Sequence, residues 1–166
     1  MFAATIREVR TAVSACRVEV LIPDLGGSEE ALAVVVNAGP DVLGHNLETV
    51  PSLYSTVRPQ AGYERSLQLL ERARKSGNVT KSGIMVGLGE TRKELSALFS
   101  DLRSVGCDIL TLGQYLQPGR DHLQVKKLYH PDEFTSLKKE ADAMGFRRVV
   151  SGPLVRSSYH AEQHSR

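Results

Sequence analysis

The sequence predicts an α/β protein whose parallel strands form part of a (βα) barrel. Strand-like and helix-like periodicities alternate along nearly the whole chain, the pattern that builds a parallel sheet through right-handed crossovers. Polar side chains follow one strand after another: Asp24, then His45, Asn46 and Glu48, then Glu90, then Gln114, then Arg156 to Tyr159. Doubly wound sheets and barrels both place chemistry at strand C-termini, and the ring of loops in a barrel would gather these groups. Only five strands can be counted, and 166 residues fall short of the roughly 200 that a full eight-stranded barrel needs, so the sheet is expected to be incomplete.

Phe2, Ile6, Val9 and Val13 fall on one helical face, and Val18 to Ile22 reads as a short strand closed by Pro23 and the Gly26-Gly27 pair. Ser28 is an N-cap with Glu29 and Glu30 in the first turn of a helix that runs to Ala38 and is stopped by Gly39-Pro40. Strand-like Val42-Leu43 comes next, then a helical pattern around Leu53 and Tyr54, then Pro59 and a stronger helix from Tyr63 to Lys75. A strand over 80–88 leads to Thr91 and Glu94, a capping box for a helix with Leu95, Leu98, Phe99, Leu102 and Val105 on its apolar side. A strand over 109–116 follows. Pro131 takes a first helical position with Asp132 and Glu133 behind it, that helix ends at Met144-Gly145, and Val149-Val150 opens a last strand. Residues 1–150 are thus read as the barrel portion and 151–166 as a C-terminal tail carrying Arg-Ser-Ser-Tyr.

Composition excludes several classes. With 41% hydrophobic and 24% charged residues the chain has material for one ordinary core. A net charge of +2, with 21 Lys+Arg spread along the chain, gives little support for a nucleic-acid partner. No apolar run is long enough to span a membrane, and the N-terminus lacks a secretory pattern, so a cytoplasmic location is expected. Cys16 and Cys107 lie 91 positions apart with no third thiol, so both are expected to be small buried hydrophobes. Five histidines without HxH or HExxH spacing receive no metal role.

Four segments offer chemistry. Gly87-Leu-Gly-Glu-Thr91 can present backbone N–H groups to an anion at a helix N-terminus, or can simply make a tight turn. Asn46 and Glu48 supply an amide and a carboxylate, the pair suited to ribose hydroxyls, or belong to a plain loop. Arg58 can fork a ligand carboxylate or form an ion pair on a helix face. Ser151 to His160 crowds an arginine, two hydroxyls, a phenol and an imidazole behind a Gly-Pro break, where a frayed terminus is the usual expectation.

Taken in order, Val20-Leu-Ile-Pro-Asp24, His45-Asn-Leu-Glu-Thr-Val50, Val57-Arg-Pro59, Thr80-Lys-Ser-Gly-Ile-Met-Val-Gly-Leu-Gly-Glu-Thr91, Leu112-Gly-Gln-Tyr-Leu-Gln-Pro118 and Ser151-Gly-Pro-Leu-Val-Arg-Ser-Ser-Tyr-His-Ala161 resemble lipoyl synthase. The resemblance covers nearly all of the chain. It implies a partial barrel of the radical S-adenosylmethionine (SAM) type, incomplete here at its N-terminal side, and the insertion of two sulfurs at C6 and C8 of a protein-bound octanoyl group. It implies SAM and two [4Fe–4S] clusters as cofactors, with an octanoylated lipoyl domain or glycine cleavage H protein as partner. Asn46, Glu48 and Arg58 become candidates for the ribose and carboxylate of SAM, and Lys81 and Gln114 further inward-facing candidates. Ser158 or Ser157 corresponds to the family's serine ligand of the auxiliary cluster.

The chain departs from the family where iron is held, because neither the CxxxCxxC nor the CxxxxCxxxxxC motif is present. It is therefore expected to be the C-terminal part of such an enzyme, inactive alone and dependent on cysteines carried elsewhere, in one form on a separate N-terminal polypeptide. The alternative expectation is a non-catalytic accessory protein that binds SAM or a lipoyl domain.

Overall fold

The five strands pair in sequence order, and every pair is parallel: β1 (Glu19–Leu21), β2 (Val42–Gly44), β3 (Val79–Val86), β4 (Ile109–Gln114) and β5 (Arg148–Gly152). This computed structural model describes residues 1–158, so Tyr159, His160 and Ala161 of the tail motif lie outside the described residues. The helices are α1 (Phe2–Ala12), α2 (Glu29–Val36), α3 (Tyr54–Val57), α4 (Tyr63–Lys75), α5 (Arg92–Ser104) and α6 (Pro131–Ala143). Sequential strand order with right-handed crossovers keeps all helices on one side, whereas a doubly wound sheet reverses its order and carries helices on both. The arrangement is therefore that of a barrel wall, open between β1 and β5.

The signals in the sequence account for most element ends. Ser28 Oγ accepts from Ala31 N at 3.1 Å at the start of α2. Thr91 and Glu94 form the reciprocal capping box of α5, with Glu94 Oε2 accepting from Thr91 N at 2.7 Å. At α6 the cap is His130, whose Nδ1 accepts from Asp132 N at 3.3 Å, while Glu133 reaches back to His130 N at 3.0 Å. β3 and β4 each stop two residues before their apolar runs end. Gly87 turns the chain at φ 104°, and the segment after Gln114 bonds back to Gly87, whose carbonyl accepts from Lys126 N at 2.8 Å. β5 runs through position 150 to Gly152, and the tail leaves the sheet there.

Helices cover the outer face of the sheet. Ile84, Val86, Leu110, Leu112 and Val149 pack there against Leu67 and Leu70 of α4, Leu98, Phe99 and Leu102 of α5, and Phe134 and Leu137 of α6. A second cluster joins Ala3 and Ile6 of α1, Leu32 and Val35 of α2, Leu43, Leu69 and Ala73. Cys107 lies in the first cluster, fully buried as expected, but Cys16 is exposed just past α1, where no apolar surface reaches it. Phe99→Ala should cost about 3–5 kcal/mol through lost burial and cavity formation. A chemical-denaturation midpoint close to that of the parent would contradict this packing.

Candidate functional site

With helices on the outer face, strand positions of the other parity face inward: Glu19 and Leu21, Lys81, Gly83 and Met85, Thr111 and Gly113. At the C-terminal end of this inner face is a cavity of about 280 Å³, lined by Leu21, Asn46, Glu48, Gly83, Ile84, Met85, Thr111, Gly113, Val155, Arg156 and Ser157. It lies where parallel sheets place ligands. Its floor is made low by glycines. A Cβ on Gly83 would stand 2.8 Å from Asn46 Oδ1 and 3.0 Å from Thr111 Oγ1.

The loop after β2 builds one wall. His45 N donates to Lys81 O at 2.9 Å and Glu48 N to Gly83 O at 3.0 Å, so residues 46 and 47 bulge between two sheet bonds. Leu47 N is satisfied by Ser82 Oγ at 3.1 Å, and Glu48 takes a left-handed φ of 66°, uncommon for a residue with a side chain. Met85 N closes the bridge by donating to Glu48 O at 2.8 Å. His45 is buried, its ring nitrogens 2.9 Å from Ile22 O and 2.9 Å from Ser66 Oγ, so it anchors the loop from behind. Arg58 clamps it from the side: Nη1 donates to Asn46 O at 2.8 Å and lies 3.3 Å from the Tyr54 hydroxyl. Among the described residues Arg58 pairs with no carboxylate, so the structure departs from the ion-pair reading of it, and its contacts are to backbone carbonyls and the Tyr54 hydroxyl. A second cavity, lined by Pro23, His45 and Arg58 together with Leu21, Asn46 and Glu48, flanks the same loop.

The loop is electrostatically primed. Asn46 Nδ2 donates to Glu48 Oε1 at 3.0 Å, while Asn46 Oδ1 is buried without a donor. Burial raises the Glu48 pKa from its ordinary value, a shift opposed by the Asn46 amide and the charge of Arg58. A desolvated carboxylate beside an orphan carbonyl lacks hydroxyl or amine donors, which a diol or amine ligand would bring.

The other candidates lie elsewhere. Lys81 is on the inner face, two positions below Gly83, and its Nζ is 2.6 Å from Glu19 Oε1 across β2. Burial lowers its pKa against the opposing effect of Glu19. Gln114, expected to face inward, shares the parity of Leu110 and Leu112 instead. Its Nε2 donates to Val86 O, Tyr115 O and Lys127 O at 3.0–3.1 Å and its Oε1 accepts from Tyr129 N at 3.0 Å, which ties the loop after β4 to the sheet. The glycine turn at 87–91 is already filled from within: Gly87 N and Leu88 N donate to the Glu90 carboxylate at 2.7 and 2.9 Å. Ser157 is half-buried at the cavity and Ser158 is exposed beside it. Arg156, one of the polar residues expected to follow the strands, lines the cavity as well, although it was not singled out as a cofactor contact.

The residues present do not fit an iron–sulfur cluster. Among the described residues no group of three or more His, Cys, Asp or Glu is placed to hold a metal, and burial pushes the Cys107 thiol up to about 12, away from the thiolate a cluster needs. The cavity does fit the polar part of a nucleoside-bearing cofactor, through the carboxamide, carboxylate and hydroxyls at its rim. Among the described residues no helix is long and apolar enough to cross a membrane.

Residues 2–102, more than half of the chain, match the radical SAM superfamily. The chain belongs to that superfamily. Solved structures share the fold: a domain of pyruvate-formate lyase-activating enzyme from Bacteroides vulgatus superposes with a TM-score of 0.65 at 14% identity, covering 90% of this chain and 91% of that one. Methylornithine synthase superposes at 0.64 and 16% identity, over 90% of this chain and 51% of that one. In sequence this radical SAM chain is similar to lipoyl synthases. It is 53% identical to that of Koribacter versatilis, over 99% of this chain and 55% of the relative, and 56% identical to that of Symbiobacterium thermophilum, over 99% and 52%. The chain spans about half the length of these curated relatives.

Glu48 ties the site to stability. A carboxyl whose pKa is raised on folding favours the folded state at low pH, and that contribution is lost as the pH rises through the folded value. Glu48→Gln should therefore stabilise the chain at pH 7, with the gain shrinking as the pH falls into the ordinary carboxylate range. Denaturation at pH 7 and at pH 4 checks this, and a gain independent of pH would contradict it.

Proposed function

We propose that this chain is the C-terminal part of a lipoyl synthase, supplying the SAM-facing wall of the reaction chamber, with the family's six cluster cysteines provided from outside these 166 residues. The observation that carries the proposal is the convergence of Asn46, Glu48, Arg156 and Ser157 on one inner-face cavity in a radical SAM chain similar to lipoyl synthases. When bound, SAM supplies the radical that in this enzyme class activates C6 and C8 of an octanoyl group for sulfur insertion. Asn46 and Glu48 would hold the ribose, one donating and both accepting. Arg58 keeps the loop's carbonyls fixed and thereby positions both side chains, so the carboxylate-binding role expected for it passes to a positioning one. Ser158 or Ser157 would offer one hydroxyl oxygen to the auxiliary cluster, whose thiolate ligands would come from outside these 166 residues. Oxygen is a poorer match than thiolate for iron in a sulfide cluster, which suits a corner that must release its iron. The octanoyl group is carried by a lipoyl domain or glycine cleavage H protein.

Reconstitution with iron and sulfide tests the division of labour. The purified chain should gain no cluster absorbance or electron paramagnetic resonance signal, and octanoyl sulfuration should appear only with the polypeptide bearing the six cysteines. A cluster held by the chain alone would overturn the proposal, and SAM binding without any rescued sulfuration would favour an accessory module. In the complete enzyme Ser158→Ala should leave SAM cleavage intact and abolish sulfur insertion. If Ser157→Ala does so instead, the ligand is Ser157.

A further inference from the structure

Beyond Gly152 the chain has to reverse before it can reach the cavity. Gly152-Pro-Leu-Val155 makes that reversal as a turn closed by Val155 N donating to Gly152 O at 3.1 Å, with Pro153 at its second position, where a fixed φ suits a turn. Pro153 O accepts from Gln114 N at 3.3 Å and the Val155 side chain is buried, so the turn is fastened to the end of β4. The backbone then crosses the inner face of β4 at Gly113. A Cβ built on Gly113 would fall well inside the 3.0 Å that real Cβ atoms essentially never breach, against the Val155 carbonyl oxygen, with Arg156 Nη1 3.3 Å away.

We infer that Gly113 is the seat of the C-terminal segment, a positioning residue that holds Arg156 and Ser157 at the cavity wall. Its φ lies outside the left-handed region, so alanine meets no backbone strain there. The obstacle is the crossing segment, and that obstacle is backbone, which cannot swing aside as a flexible side chain does. Gly83, on the adjacent strand β3 and two register positions away on the same floor, meets a different object, the Asn46 amide and the Thr111 hydroxyl. The two glycines therefore serve separate walls of one cavity. The inference deepens the proposed function, because the seated segment carries the serine candidates, but its test requires no ligand.

The test uses the full chain with Cys16→Ser and a Ser157→Cys reporter, labelled with an aromatic disulfide. Cys107, fully buried, reports global opening in the same sample. Adding Gly113→Ala should speed labelling at position 157 at least tenfold while Cys107 stays protected and the circular dichroism is unchanged. Gly83→Ala in the same background should leave the rate at position 157 within twofold of the parent. An unchanged rate in both Gly113→Ala and the bulkier Gly113→Val would overturn the inference, because the segment would then not depend on that seat. Parallel acceleration at Cys107, or failure to fold, would also overturn it, because Gly113 would then serve the sheet and not the tail.

Discussion

A parallel sheet that packs helices on one face alone leaves its other face to close on itself or to line a site. Everything at the site follows from that constraint. The outer positions of β3 and β4 are Ile84, Val86, Leu110 and Leu112, closed in by α4, α5 and α6. The inner positions include Lys81, Gly83, Thr111 and Gly113, which are small, polar or paired, beside the apolar Ile109 and Met85. A charge buried there needs a partner, which Lys81 finds in Glu19 at 2.6 Å. Space left there is roofed by the loop after β2 and the segment after β5.

The two roofing segments are held in different ways. The Asn46–Glu48 loop is held by donating to Ser82 Oγ and Gly83 O and by accepting from Met85 N and Arg58, enough to keep Glu48 at a φ of 66°. Such a conformation costs of order 1–3 kcal/mol and persists only where its surroundings over-determine it. The tail is held by shape, over a strand position with no side chain. Strain, a desolvated carboxylate and an orphan carbonyl in one loop are what a site looks like when part of its hydrogen bonding is reserved for a ligand.

Local signals made the frame legible in the sequence. Ser28, the Thr91–Glu94 box and Pro131 mark helix starts through chemistry confined to a single turn, and the strand–helix beat specifies parallel pairing. Asn46 and Glu48 were legible because they follow a strand directly. Gln114 was not: strands buried on both faces read as continuous apolar runs, so no alternation tells which face a residue takes. The acceptors of Arg58 were hidden for a different reason, since they are backbone carbonyls and leave no trace in residue identity. The same holds for Glu90, which fills the glycine turn that its own neighbours suggest for an external anion. Cys16 shows that an apolar residue type does not ensure burial beyond the last turn of a short amphipathic helix.

The chain spans about half the length of its curated relatives and carries an inner-face cavity at the C-terminal end of its sheet, with its two cysteines far from one another in sequence. The most direct test of the central claim is a titration of the isotopically labelled chain with SAM, followed through its backbone amide resonances. If the inner face is the ligand site, saturable shifts will cluster at Asn46, Glu48, Gly83, Thr111 and Gly113. Absence of saturable shifts, or shifts confined to the outer groove between α2 and α4 around Glu29 and Arg72, would contradict it.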